Sequence, residues 1–228
     1  MELDDIYLCI QAEMAKVEKE IARLSQRPPA SIAPFLEHVL VYKGKRIRPA
    51  LTWLCGKLFQ PQEELLMPMS MAVELFHTAT LVHDDIVDKA PVRRGLPTVN
   101  SLWGQELALL LGDFLFSQAA ELVSATGNLR VIELFAHTLM EVSGGELKQN
   151  LISLEAKQDR QHYYQWIGAK TASVFTLATQ SGAILGQATE AGVKALVEYG
   201  YNLGMAFQVA DDILDVVGEA GEMGKPVG

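Results

Sequence analysis

Cysteine is nearly missing from this 228-residue chain, which contains only Cys9 and Cys55. Far apart and without CxxC spacing, they exclude a disulfide framework and a cysteine zinc site. Positive charge is scarce too: 19 Lys and Arg face 28 Asp and Glu, a formal net charge of −9. That balance argues against general nucleic-acid binding, which needs clustered cations. It leaves room for anionic substrates wherever a basic patch or a bound cation reverses the sign locally. No unbroken apolar run approaches the roughly 20 residues that span a bilayer. The N-terminal stretch MELDDIYLCIQAEMAKVEKE carries acids where a secretory signal carries a basic and then an apolar region. The expectation is a cytoplasmic protein without a transmembrane segment. Strand-like alternation, low-complexity tracts and repeats of fixed period are almost absent.

What is present is helical periodicity in a chain that is 49% hydrophobic. Leu3, Ile6, Ile10, Met14, Val17, Ile21 and Leu24 form a stripe that stops before Pro28-Pro29. Further helices are expected over 32–41, 47–59, 63–88, 103–125, 129–154, 161–167, 170–187 and 190–217. Pro61, Ala90-Pro91, the turn at Gly95-Leu96-Pro97 and Thr126-Gly127-Asn128 separate some of them. The pattern predicts one all-α domain over 1–228 with no internal boundary. Small residues at Ala119-Ala120, Gly182-Ala183 and Gly204 predict close helix–helix approach.

Two acidic stretches share one spacing: LVHDDIVD with Asp84, Asp85 and Asp88, and QVADDILD with Asp211, Asp212 and Asp215. On a helix, i and i+4 share a face, so Asp84 joins Asp88 and Asp211 joins Asp215, with Gln208 one turn before Asp212. Carboxylates are the ligands of Mg²⁺, which keeps waters and bridges to phosphate oxygens. A solvated acidic helix face is the plain alternative for either stretch alone. Their apolar surroundings and their recurrence favour one metal site built from both, because unpaired acids are costly in buried helices.

Basic residues gather nearby. GKRIRP places Lys45 and Arg48 at i, i+3 at a helix entrance, a favourable place for phosphate. Arg93 and Arg94 follow the first acidic stretch, and guanidinium groups suit bidentate phosphate contacts. Lys170-Thr171 opens a further helix, and Lys225 lies in the final loop. Each alone reads first as an ordinary surface charge, the commoner state of a single Lys or Arg; together with the acids they point to a diphosphate site. His83 reads as packing beside the first acidic stretch, His38, His137 and His162 show no metal-ligand spacing, and Trp53, Trp103 and Trp166 read as core or interface aromatics.

With GKRIRP, HTATLVHDDIVDKAPVRRG, GDFLFSQA, GGEL, KTASVF and AFQVADDILDVVGEAGEMGKPVG in order, the chain resembles the trans-polyprenyl diphosphate synthases, and most closely their bacterial long-chain members. The resemblance implies an antiparallel all-α assembly around a central cavity, usually a homodimer. It implies condensation of isopentenyl diphosphate with an allylic diphosphate such as farnesyl diphosphate. The six aspartates would hold Mg²⁺ on the allylic diphosphate. Lys45, Arg48, His77 and Arg94 match the isopentenyl diphosphate site. Arg93, Lys170, Thr171, Gln208 and Lys225 match groups that contact the allylic substrate. The first stretch is DDIVD, without the two extra residues of many bacterial short-chain members. With small Ala79 and Thr80 just over one turn before Asp84, this implies a long product, around C40. Phe135 reads first as a plain core residue, with a cavity floor as the alternative.

Against the family pattern, the chain stops after GKPVG, before the expected aspartate-arginine stretch, final helices and basic C-terminus. Two other readings stand beside the synthase. One is a terpene cyclase of the same fold, which needs no isopentenyl site. The other is a noncatalytic subunit that regulates a prenyltransferase.

Overall fold

A computed structural model describes residues 3–26, 30–40, 44–152 and 159–217. Among them run eleven α-helices and one two-stranded hairpin, so the all-α expectation holds. The first helical stretch comes as α1 (Leu3–Tyr7), a 3-10 turn (Leu8–Ile10) and α2 (Gln11–Leu24). Ile10, Met14, Val17, Ile21 and Leu24 are buried as the stripe predicts. Ile6 departs from it and stays 39% exposed, because the 3-10 turn breaks the helical phase.

Next come α3 (Ala33–Leu40) and α4 (Ile47–Lys57), then α5 (Glu63–Val87), the long axis of the core. Strands β1 (Val92–Arg93) and β2 (Leu96–Pro97) pair antiparallel across the turn expected at Gly95. Then follow α6 (Val99–Trp103) and α7 (Gln105–Ser124). The single helix expected over 103–125 is broken at Gly104, whose φ of +91° takes it out of helical geometry. The chain continues through α8 (Leu129–Ile152), α9 (Arg160–Ile167), α10 (Ser173–Leu185) and α11 (Glu190–Val217).

Between α9 and α10 the chain does not restart as a helix at Lys170. A π turn, Gly168–Ala172, joins the two, and Ala172 is already helical at φ −65°, ψ −33°. Lys170 and Thr171 therefore sit on a wide turn inside a continuous helical path, not at a free helix N-terminus. Such turns aim side chains where a regular helix does not.

α5 packs against α4, α7 and α10, and α10 packs against α11. Gly204 lets α11 approach the π turn and α10: a Cβ there would lie 2.5 Å from Ala172 Cα and 3.1 Å from Phe175 Cβ. Gly182 does the same between α10 and α4, where a Cβ would meet the Thr52 carbonyl at 2.4 Å. Both close approaches match the small-residue expectation. The buried apolar side chains from α2 through α10 form one continuous cluster. Helices α5 and α7 are long and apolar enough, by length and composition, to cross a membrane. No unbroken apolar run marks them in the sequence: Glu74, His77, His83 and the aspartates interrupt α5, and Asp113 interrupts α7. The most apolar window of α5 is 67% buried inside the protein, as a core helix is.

Candidate active site

The last turn of α5 carries the first acidic stretch. Asp84 is partly buried, and its Oδ2 lies 3.3 Å from Lys170 Nζ. Lys170 also pairs with Glu146 Oε1 of α8 at 2.9 Å and lies 5.6 Å over the Trp166 ring. Burial opposes the charge on Lys170, but Asp84 and Glu146 outweigh it and hold the ammonium above its usual range. Burial raises the Asp84 carboxyl; Lys170 opposes the rise, and Glu146 and Asp88 add to it. Asp85 is buried and accepts from Arg93 Nε at 2.7 Å, while Asn100 Nδ2 holds its carbonyl. Burial raises this carboxyl too, against the pull of Arg93. Asp88 follows as the exposed C-cap of α5. The first stretch thus holds more negative charge than its two cations neutralise.

The second stretch lies near the end of α11. Thr171 Oγ1 donates to Gln208 Oε1 at 2.6 Å, and Gln208 Nε2 donates to Asp212 Oδ1 at 2.8 Å. Tyr163 Oη of α9 donates to Asp212 Oδ2 at 2.6 Å. Burial, and then Asp212, push the Tyr163 phenol up to about 12, so it remains a donor. Asp211 and Asp215 are half-buried beside them. The π turn joins the two acidic stretches: Lys170 reaches back to α5, and Thr171 reaches forward to α11.

Behind this lies a cleft lined by Glu74, His77, Thr78, Asp85, Arg93 and Arg94. Gly44 of GKRIRP adjoins it, since a Cβ there would lie 2.8 Å from Arg94 Nη1. Arg48 stacks on the Phe175 ring at 4.7 Å, and its buried Nε has no hydrogen-bond partner. Burial lowers its guanidinium to about 10; Glu74 opposes the shift and Arg94 adds to it. His77 falls well below its usual value through burial and then the charges of Arg48, Arg94, Arg93 and Arg46. An orphaned guanidinium N–H and a neutral imidazole among arginines fit an incoming anion.

Not every expected residue joins in. Lys45 is exposed, and its carbonyl accepts from Tyr7. Lys225 lies outside the described residues. Ala79 has no exposure and belongs to the apolar core, while Thr80 is half-buried. Phe135 is 6% exposed and packs edge-on to Phe76 at 5.4 Å, which favours its plain core reading. Of the aromatics, Trp53 is core, whereas Trp103 is 39% exposed against Phe35 and His38.

Sequence reasoning missed Arg46, Glu74, Glu146, Tyr163 and Trp166. Arg46 sits inside GKRIRP and Glu146 inside GGEL, so both lay in stretches already singled out. Tyr163 stands seven residues before Lys170, near two helical turns, which was the available signal for it.

Carboxylate oxygens are the right donors for Mg²⁺, which takes one or two carboxylates plus substrate phosphates in preference to a full protein cage. Among the described residues no group of three or more His, Cys, Asp or Glu side chains converges as a ready cation site. The excess negative charge of the first acidic stretch, to which Asp88 and the adjoining Glu146 contribute, therefore fits a cation that arrives with a diphosphate.

An all-helical scaffold with two aspartate stretches joined through one turn and a basic cleft alongside is of the isoprenoid synthase type. The sequence profile of the polyprenyl synthetase family matches residues 29–228. The chain is 36% identical to heptaprenyl diphosphate synthase component 2 of Geobacillus stearothermophilus, over the whole chain and 71% of that protein. It is 34% identical to octaprenyl diphosphate synthase of Haemophilus influenzae, over the whole chain and 69% of that protein. Among solved structures, a decaprenyl diphosphate synthase from Rhodobacter capsulatus superposes with a TM-score of 0.91 at 36% identity. A polyprenyl synthase from Caulobacter crescentus, complexed with calcium and isoprenyl diphosphate, gives 0.93 at 35%. Each covers the whole of this chain, which spans 70% and 69% of theirs. The chain belongs to the polyprenyl synthetase family, whose members are prenyl-transferring enzymes.

Proposed function

We propose that this protein is a long-chain trans-polyprenyl diphosphate synthase that condenses isopentenyl diphosphate with an allylic diphosphate, farnesyl diphosphate being the expected primer. The observation that carries the reading is the π turn, where adjacent Lys170 and Thr171 join Asp84 to Gln208 and Asp212. Asp84, Asp85, Asp88, Asp211, Asp212 and Asp215 would hold Mg²⁺ against the allylic diphosphate. When bound, Mg²⁺ supplies neutralisation of the departing diphosphate.

The chain's own groups do the rest. Lys170, Thr171, Gln208 and Arg93 grip the allylic diphosphate. Arg48, Arg94 and neutral His77 take the second diphosphate. The apolar flanks of α5 and α7 shield the allylic cation from water. The isopentenyl double bond attacks that cation, and a proton leaves to the released pyrophosphate. No side-chain nucleophile is needed.

The product is proposed to be long, around C40. The five-residue DDIVD stretch and the small, half-buried Thr80 support this, while named relatives range from geranylgeranyl to decaprenyl synthases. We propose a homodimer through α7 and α8, where Leu109, Leu110, Met140 and Leu147 are 51%, 67%, 62% and 68% exposed. A second reading has one specific support: a relative is named as component 2 of a synthase, which favours action together with a second subunit.

Incubation with farnesyl diphosphate, labelled isopentenyl diphosphate and Mg²⁺, followed by product sizing, tests the reading. Elongation to about C40 supports it. Absence of any condensation by the chain alone, with activity restored by a second subunit, establishes the two-component reading instead.

A further inference from the structure

The final turns of α11 carry the second acidic stretch, and among the described residues Ile213, Val216 and Val217 there are 54%, 78% and 69% exposed. Gln208, one turn earlier, holds one Asp212 oxygen from the same helix and is itself held by Thr171, so the π turn reaches Asp212 only indirectly. Tyr163 ties the other carboxylate oxygen to a different element, α9. Its ring is itself held, tilted against Tyr164 at 5.5 Å and Trp166 at 6.5 Å. Trp166 in turn lies beneath Lys170, the cation that meets Asp84. One aromatic wall thus supports groups from both acidic stretches.

We propose that Tyr163 is a positioning residue for Asp212: its hydroxyl fixes the plane of that carboxylate and pins the end of α11 for cation and diphosphate binding. Two donors, one on each oxygen, leave the remaining lone pairs of Asp212 aimed in set directions. Partners of this kind behind a metal-ligating group typically change metal affinity by about 10- to 100-fold. The inference rests on the proposed diphosphate function and adds to it a residue that contacts neither substrate.

The test is calorimetric titration of inorganic pyrophosphate into the protein over a series of Mg²⁺ concentrations, with no turnover involved. Tyr163→Phe keeps the ring and removes the hydroxyl. The expected result is a roughly tenfold rise in the Mg²⁺ concentration needed for half-maximal pyrophosphate binding, with helical content unchanged. Tyr164→Phe, on the adjacent and 44% exposed ring, is expected to behave as wild type. An unchanged Mg²⁺ requirement in Tyr163→Phe overturns the inference, as does a variant that only melts earlier without Mg²⁺. Failure of the wild-type protein to bind pyrophosphate at any Mg²⁺ concentration overturns the functional reading itself, and the role of Tyr163 with it.

Discussion

Lys170 Nζ lies 3.3 Å from Asp84 Oδ2 and 2.9 Å from Glu146 Oε1, so one ammonium from the π turn bridges two carboxylates on two helices. The lysine stands beside the acidic face while burial still keeps the Asp84 carboxyl above its usual range. The site is poised for more positive charge than the side chains provide.

Removing either acidic stretch is therefore expected to abolish condensation without unfolding the protein. Asp84→Ala and Asp211→Ala should each lower kcat/KM by about 100-fold or more, the scale of losing a group that stabilises developing charge. Circular dichroism should show nearly wild-type helix. Full turnover in either variant excludes the paired-motif mechanism.

Arg46 offers a contrasting case, important for stability first. Its guanidinium, 7% exposed, pairs with Glu74, 8% exposed, and with Glu18 at 2.7 Å, joining α2, α5 and the start of α4. Burial disfavours the charge, yet the two glutamates outweigh it and raise the guanidinium above its usual value. Arg46→Ala leaves Glu74 buried without its partner, so a loss of about 3–5 kcal/mol is expected. Urea unfolding measures it, and a loss below about 1 kcal/mol places the pair in the class of surface salt bridges.

His77 sets a pH dependence. Its folded-state value lies well below 6.5, chiefly through burial and then four arginines. Below pH 6.5 the unfolded chain binds the proton more readily, so this contribution is complete above 6.5 and is lost as pH falls, by at most about 1.4 kcal/mol per pH unit. The raised Asp84 and Asp85 carboxyls act in the opposite direction. The comparison with His77→Gln isolates the histidine: its thermal midpoint should fall less than wild type between pH 7 and pH 5. Parallel curves contradict a neutral His77.

Chain length is better probed at Thr80 than at Ala79. Ala79 has no exposure, so Ala79→Tyr overpacks the core, expected to cost about 1–3 kcal/mol and confuse any change of product. Thr80 is half-buried, with its hydroxyl on the His77 carbonyl. Thr80→Tyr is expected to shorten the product with a smaller change in melting temperature. Product sizing decides; an unchanged length removes Thr80 from length control.

Much of this was legible in the residues. The 3.6-residue stripe from Ile10 to Leu24, the long α5 and α11, and the close helix approach at the small residues Gly182 and Gly204 follow from periodicity and side-chain size, which are local properties. The two DDxxD stretches and the arginines after the first were visible because spacing on a helix determines which side chains share a face. Tertiary structure alone decided which groups meet. It set Lys170 between Asp84 and Glu146 through a π turn that periodicity reads as the start of a helix. It buried Arg46 while leaving Lys45 outside, and it placed Tyr163 on Asp212, 49 positions away. Those pairings depend on helix packing across long separations, where burial and desolvation, not spacing, select each partner.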